Sequence, residues 1–158
     1  MNVLSPLNKL AMLALVGSPS VAAMLGLAAT AHADAPVNLR INDTVRAELL
    51  QTGADLHGVP ASEYVGLAPG ETYYAYDPDT LTYWAGASLR TRPNPSERAQ
   101  VSGQDAGSYI LYKKIKGGLW TAFNIGAGDP DPQECPQNLP LSIMNMWGWD
   151  PLYCRPRI

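Results

Sequence analysis

The chain has 158 residues, 46% of them hydrophobic, with 14 acidic and 11 basic side chains and a net charge of −3. That balance argues against a general nucleic-acid binder, which carries a basic excess. The length suits a single domain with one sizeable core.

The first segment reads as an export signal. Lys9 is the one charge before an apolar stretch, Leu10–Val16, which breaks at Gly17-Ser18-Pro19-Ser20 and resumes from Val21 to Ala29. Ala31-His32-Ala33 is the small-x-small pattern that signal peptidase cuts, because its pockets there are shallow, and Asp34-Ala35-Pro36 follows directly. Leu10–Ala31 is long enough to span a bilayer. The central break, the cleavage motif and the acid beyond it favour cleavage between Ala33 and Asp34 instead. With no cysteine at the cut and no paired arginine, the general secretion route is expected, to the medium or the cell envelope, without a lipid anchor. Residues 1–33 are thus expected to be removed. All 14 acids and all bases but Lys9 remain, for a net charge of about −4. No second apolar run approaches bilayer length.

Cys135 and Cys154 are the only cysteines. In an oxidising compartment an even pair reads as a disulfide, and closing a loop of about twenty residues stabilises a fold by roughly 3 kcal/mol in the chain-entropy picture. After cleavage His57 is the one histidine, far from both sulfurs in sequence, so zinc lacks ligands. No metal and no cofactor is expected.

Residues 34–41 are expected to form a mobile leader and residues 42–158 a single domain. Asn42-Asp43-Thr44 offers capping side chains, and also a glycosylation sequon, before an apolar stripe at Val45, Leu49, Leu50, Ala54 and Leu56. His57, Gly58 and Pro60 then supply stop signals, so the pattern predicts a helix over Asp43–His57. From Glu71 the period falls to two. Strands are expected at Thr72–Tyr76, Thr82–Leu89, Arg98–Gln104, Ser108–Ile115 and Leu119–Ile125, joined by local turns such as Asp77-Pro78-Asp79-Thr80 and Lys116-Gly117-Gly118. Arg90–Glu97 and Gly126–Leu139 read as loops. Pro140–Trp147 reads as a short helix that turns Ile143, Met144 and Trp147 inward and stops at Gly148. The predicted fold is α+β: one N-terminal helix packed on an antiparallel meander of about five strands, with a short C-terminal helix and arm tied by the disulfide. Strand Leu119–Ile125 has no plainly polar face, which implies that the C-terminal arm covers the sheet's second side.

The runs Tyr73-Tyr74-Ala75-Tyr76-Asp77-Pro78 and Thr82-Tyr83-Trp84-Ala85, with Cys135-Pro136, Trp147-Gly148-Trp149 and Cys154-Arg155-Pro156, carry a resemblance. The mature chain resembles a family of small secreted actinobacterial proteins with an export signal, a first helix, a tyrosine-rich first hairpin, a glycine-rich second hairpin and two late cysteines. The resemblance implies export and the disulfide, and no activity. The helix-then-meander order is also similar to that of cystatins. Here, though, Gln100-Val101-Ser102-Gly103 sets the glutamine one residue too close to the valine, a slip that reverses its face on a strand.

Candidate chemistry is sparse. No Gly-x-Ser-x-Gly elbow partners His57, and its place at a helix C-terminus, where a positive charge complements the dipole, accounts for it. Asp129, Asp131 and Glu134 offer calcium three acids where a calcium loop supplies six or more oxygens. Arg90, Arg92 and Arg98, and Lys113, Lys114 and Lys116, sit at turns. The aromatic side chains stand out, since rings on a sheet face stack on sugars or anchor protein interfaces. Tyr74, Tyr76, Trp84 and Trp120 are the candidate contact surface. The chain therefore reads as a secreted, non-enzymatic binding module for a protein or glycan partner outside the cytoplasm. The alternatives are a hydrolase using a carboxylate pair and a protease inhibitor presenting Arg92-Pro93-Asn94-Pro95.

Overall fold

The structure, a computed structural model, describes residues 34–104, 109–125, 135, 138–151 and 154–157, all within the unit His32–Ile158. The expected signal segment and the acids Asp129, Asp131 and Glu134 lie outside the described residues.

Helix α1 covers Asp43–His57, with the ends that the sequence signals set. The Asn42 Oδ1 accepts the Val45 amide at 2.9 Å, which satisfies one of the first turn's orphan donors. Gly58 adopts the left-handed conformation at φ 62°, and the amides of Gly58 and Val59 close onto the Asp55 and Ala54 carbonyls, each at 3.0 Å.

Four of the five expected strands are present: β3 (Tyr73–Asp77), β4 (Thr82–Thr91), β5 (Tyr109–Ile115) and β6 (Thr121–Asn124), paired antiparallel in chain order. The fifth is corrected. Arg98–Gln104 lies not on a strand but on a helix, α2 (Glu97–Gln104). The Ser96 Oγ accepts the Ala99 amide at 3.4 Å and the Ser96 carbonyl accepts the Gln100 amide at 2.9 Å, so Ser96 caps the helix. Seven residues were too short a run for Val101 and Gly103 to separate a period of two from one of 3.6. The cystatin comparison falls with that strand.

Two further strands join the sheet. β1 (Val37–Asn38), inside the expected leader, pairs with Tyr76 and Ala75 of β3, and the Leu39 amide donates to the Tyr74 carbonyl at 2.7 Å. Within residues 34–41, Val37–Asn38 is thus an edge strand of the sheet. β2 (Tyr64–Leu67) pairs with Leu89, Arg90 and Thr91 at the far end of β4. The expected loop therefore begins two residues later than the sequence suggested.

Alternation along β4 divides the core in two. Tyr83, Ala85, Ala87 and Leu89 share a face with Ile110 and Tyr112 of β5, and Leu49 and Ala54 of α1 pack there. Trp84 and Gly86 face the other way with Leu111, under α3 (Leu141–Trp147) and Trp149. Ile143, Met144 and Trp147 are buried, as the sequence predicts. Beyond α3, β7 (Trp149–Asp150) pairs with β8 (Arg155–Pro156), and the Cys135–Cys154 disulfide ties this arm with a Cα–Cα distance of 5.5 Å. The second face is covered by the C-terminal arm.

Trp149 is 1% exposed, and the edge of its ring lies where a side chain on Gly86 would begin. Tyr109 and Tyr73 meet it with ring centroids 5.5 Å away, each at a steep angle. Replacing Gly86→Ala is expected to lower stability by about 2 kcal/mol or more through overpacking. The urea midpoint should fall together with the near-ultraviolet dichroism of the buried tryptophans.

Candidate aromatic binding face

The α1 side of the sheet carries more aromatic surface than α1 covers. Tyr76 and Tyr83 are cross-strand partners with ring centroids 4.7 Å apart, and Tyr83 lies 6.0 Å from Tyr74 in a stacked pair. Trp120 continues the row, 6.2 Å from Tyr74, and meets Tyr112 edge-on at 6.4 Å. Tyr74, Tyr76, Tyr83 and Trp120 are all half-buried. Each ring is thus held by neighbours and still meets solvent.

Trp120 is fixed by one carboxylate. The Glu48 Oε2 on α1 accepts the Trp120 indole N–H at 2.7 Å and the Lys114 ammonium at 3.0 Å, and the ammonium also stands 5.5 Å from the centre of the Trp120 ring. Lys114 is the main influence holding the Glu48 carboxyl below its usual range; Trp120 adds to it against the opposing effect of partial burial. Burial, followed by the nearby Tyr83 and Glu48, raises the Tyr74 hydroxyl.

Trp120 separates two depressions. One, of about 440 Å³, is lined by Val45, Tyr74, Tyr83, Lys114, Lys116 and the Gly117-Gly118 turn. The other, of about 690 Å³, runs between α1 and β6 and includes Glu48, Gln51, Asp55 and the exposed Leu119. Gly117 takes φ +84°, and the Gly118 amide donates to the Ile115 carbonyl at 2.8 Å. The Lys116 amide donates to the Leu81 carbonyl at 2.8 Å, which holds this turn against the β3–β4 turn.

The sequence-derived surface is three-quarters placed together. Tyr74, Tyr76 and Trp120 share the α1 face, whereas Trp84 does not. It is 2% exposed and belongs to the opposite core. Pairing of Tyr76 with Tyr83 sends the adjacent Trp84 to the other side, and α3 covers it there. Tyr83 takes its place in the row, a residue that strict alternation from Tyr83 to Trp84 would have selected.

The remaining candidates are structural in their contacts. The Asp77 carboxylate accepts the Asp79 amide at 3.2 Å and the Thr80 hydroxyl at 2.7 Å, closing the β3–β4 turn. Arg92 forks onto Glu63 at 2.7 and 3.2 Å, and the Ser96 amide donates to the same carboxylate at 2.8 Å. The amide of Ser96 and then Arg92 lower Glu63. This tether occupies the arginine that an inhibitory loop would present. Glu48 and Asp55 both line the larger groove, but Glu48 stands as an anion shared by two donors and Asp55 accepts the Gln51 amide nitrogen at 2.8 Å. Among the described residues no group of three or more His, Cys, Asp or Glu side chains is placed to hold a metal ion, and no helix is long and apolar enough to cross a membrane.

His57 departs from its sequence reading. Its Nδ1 lies 3.2 Å from the Tyr64 hydroxyl, which lies 3.0 Å from the Ser102 hydroxyl, and its Nε2 is buried without a partner. Burial lowers its pKa, so the imidazole is favoured over the dipole-complementing cation. Set against family models, curated proteins and solved structures, the chain matches none.

Replacing Glu48→Ala is expected to free the Trp120 ring and cost about 1 kcal/mol, since the pair is partly exposed to solvent. Acrylamide quenching of tryptophan fluorescence should rise, because the other three tryptophans are buried. His57 has a pH signature of its own. With its folded pKa below the reference value of 6.5, the folded state binds fewer protons there, so this contribution is intact above pH 6.5 and declines as pH falls through the lowered value. Urea midpoints measured from pH 7.5 down to pH 5 should fall in the native protein and flatten in His57→Gln, above the range where Glu48 and Glu63 titrate.

Proposed function

We propose that the protein is an exported, non-enzymatic binding module whose contact surface is the ring row Tyr76–Tyr83–Tyr74–Trp120. The row itself carries the reading: four half-buried rings, mutually supported and left open by the helix on their own face, beside a depression of about 440 Å³. Rings already fixed by packing lose little side-chain freedom when a partner docks, so they serve well as anchors. Export is supported by the leading apolar segment, by the small-x-small motif ending at Ala33 and by the disulfide, which suits an oxidising compartment. The resemblance to small secreted actinobacterial proteins points the same way.

The exported protein, with its N-terminus expected at Asp34, would be screened against glycan arrays and purified envelope polysaccharides and proteins. A Tyr74→Ala/Tyr83→Ala double variant that keeps its near-ultraviolet signal should lose at least about tenfold in affinity for whatever partner is found, the scale of a binding hot spot. Trp84→Ala should instead destabilise the fold by about 3 kcal/mol or more. Undiminished binding by the folded double variant would place the contact surface elsewhere.

A further inference from the structure

We propose that the depression beside the ring row is a subsite for an acidic sugar, a pyranose ring bearing a carboxylate, within a longer glycan; this rests on the binding-module reading above. The lining divides into two chemistries. Tyr74, Tyr83 and Trp120 supply ring surface, and Lys114 and Lys116 supply charge at the rim. Stacking on rings suits the C–H face of a sugar, while an ammonium group favours an anionic substituent at its edge.

Local charge runs against that of the whole molecule. The chain is acidic overall, yet no carboxylate lines this depression. Glu48, which lines the other depression, accepts from Lys114 and leaves that ammonium two of its three N–H donors. Lys116 is exposed and in no ion pair among the described residues. The Gly117-Gly118 turn adds no side chains, so the depression stays open to a ring at this end. Glu48 holds the indole N–H of Trp120, which lines both depressions, and in the larger groove Gln51 and Thr52 on α1 keep acceptor oxygens for a neighbouring sugar after donating to Asp55 and to the Glu48 carbonyl. A volume of about 440 Å³ lies in the range of small-molecule sites.

The test is amide-resolved NMR of the exported, disulfide-bonded protein titrated with trigalacturonate, its methyl ester and triglutamate. Trigalacturonate should move the amides of Tyr74, Tyr83, Gly117, Gly118 and Trp120 with a dissociation constant of about 0.1–1 mM. The methyl ester should bind about threefold to fivefold more weakly, the scale of one exposed ion pair, and triglutamate should leave these amides unmoved. Lys116→Gln, a surface change that keeps the fold, should narrow the difference between acid and ester to the part that Lys114 supplies, and raising the salt concentration should narrow it as well. Equal binding of acid and ester by the native protein would overturn the acidic specification. Equal response to triglutamate would overturn the sugar. Absence of shifts at these amides with either saccharide would overturn the subsite altogether, while the array screen with the double tyrosine variant separately decides whether the ring row is a contact surface.

Discussion

Strand β4 is bonded along both edges and buried on both faces. β3 and β2 take one edge and β5 the other, and neither face opens to water along its centre. A strand so enclosed must carry side chains that let both covering layers approach. Its centre is Ala85-Gly86-Ala87, with Leu49 and Ala54 of α1 on one side and Trp149 on the other. Small residues at the middle and large ones toward the ends fix where each layer docks. Gly53 repeats the device on the helix, where a Cβ would approach the Tyr112 hydroxyl to 2.5 Å. The helix therefore sits low over β4 and β5 and leaves the Tyr76–Tyr83 end of the sheet uncovered.

Disulfide and arm belong to the same constraint. The second face of β4 turns Trp84 and Gly86 toward an apolar cluster, and what builds that cluster beyond the sheet is a seven-residue helix and two two-residue strands. Helices that short do not persist alone. Their order comes from burying Ile143, Trp147 and Trp149 and from closing the loop between Cys135 and Cys154. Tyr73, Trp147 and Trp149 form a triangle with centroids 4.8–5.6 Å apart, so the arm is seated by rings on the side where Tyr73 points, opposite Tyr74.

What the sequence disclosed follows the range over which its signals act. Helix α1 was legible to the residue because Asn42 and Gly58 terminate it through bonds to neighbours three to five residues away. The hairpins of β3–β6 were legible because their turns are local. α2 was misread because seven residues do not separate a period of two from one of 3.6, and the bond that ties its start to the fold is distant: Glu63, 33 residues earlier, accepts the Ser96 amide. β1 and β2 were missed for a similar reason. Two- and four-residue strands have no period to read, and their partners lie tens of residues away. In the ring row, alternation along β3 put Tyr74 and Tyr76 on one face, while the exchange of Trp84 for Tyr83 needed the register of β3 against β4.

The ring row and the core are not independent features of the fold. Glu48 stands one residue before Leu49, which is fully buried, so the turn of helix that anchors α1 on the sheet also presents the carboxylate to Trp120 and Lys114. Lys114 in turn lies two residues from Tyr112, the ring beneath Gly53, and so on the same face of β5. Any shift of the helix along the sheet would separate Glu48 from both partners at once and release the wall between the two depressions. The helix position is set by Ala85, Ala87 and Gly53, residues without a polar atom beyond the backbone. The geometry of the aromatic face is thus governed by steric choices in the core beneath it, and these small residues set the ring row although they do not belong to it.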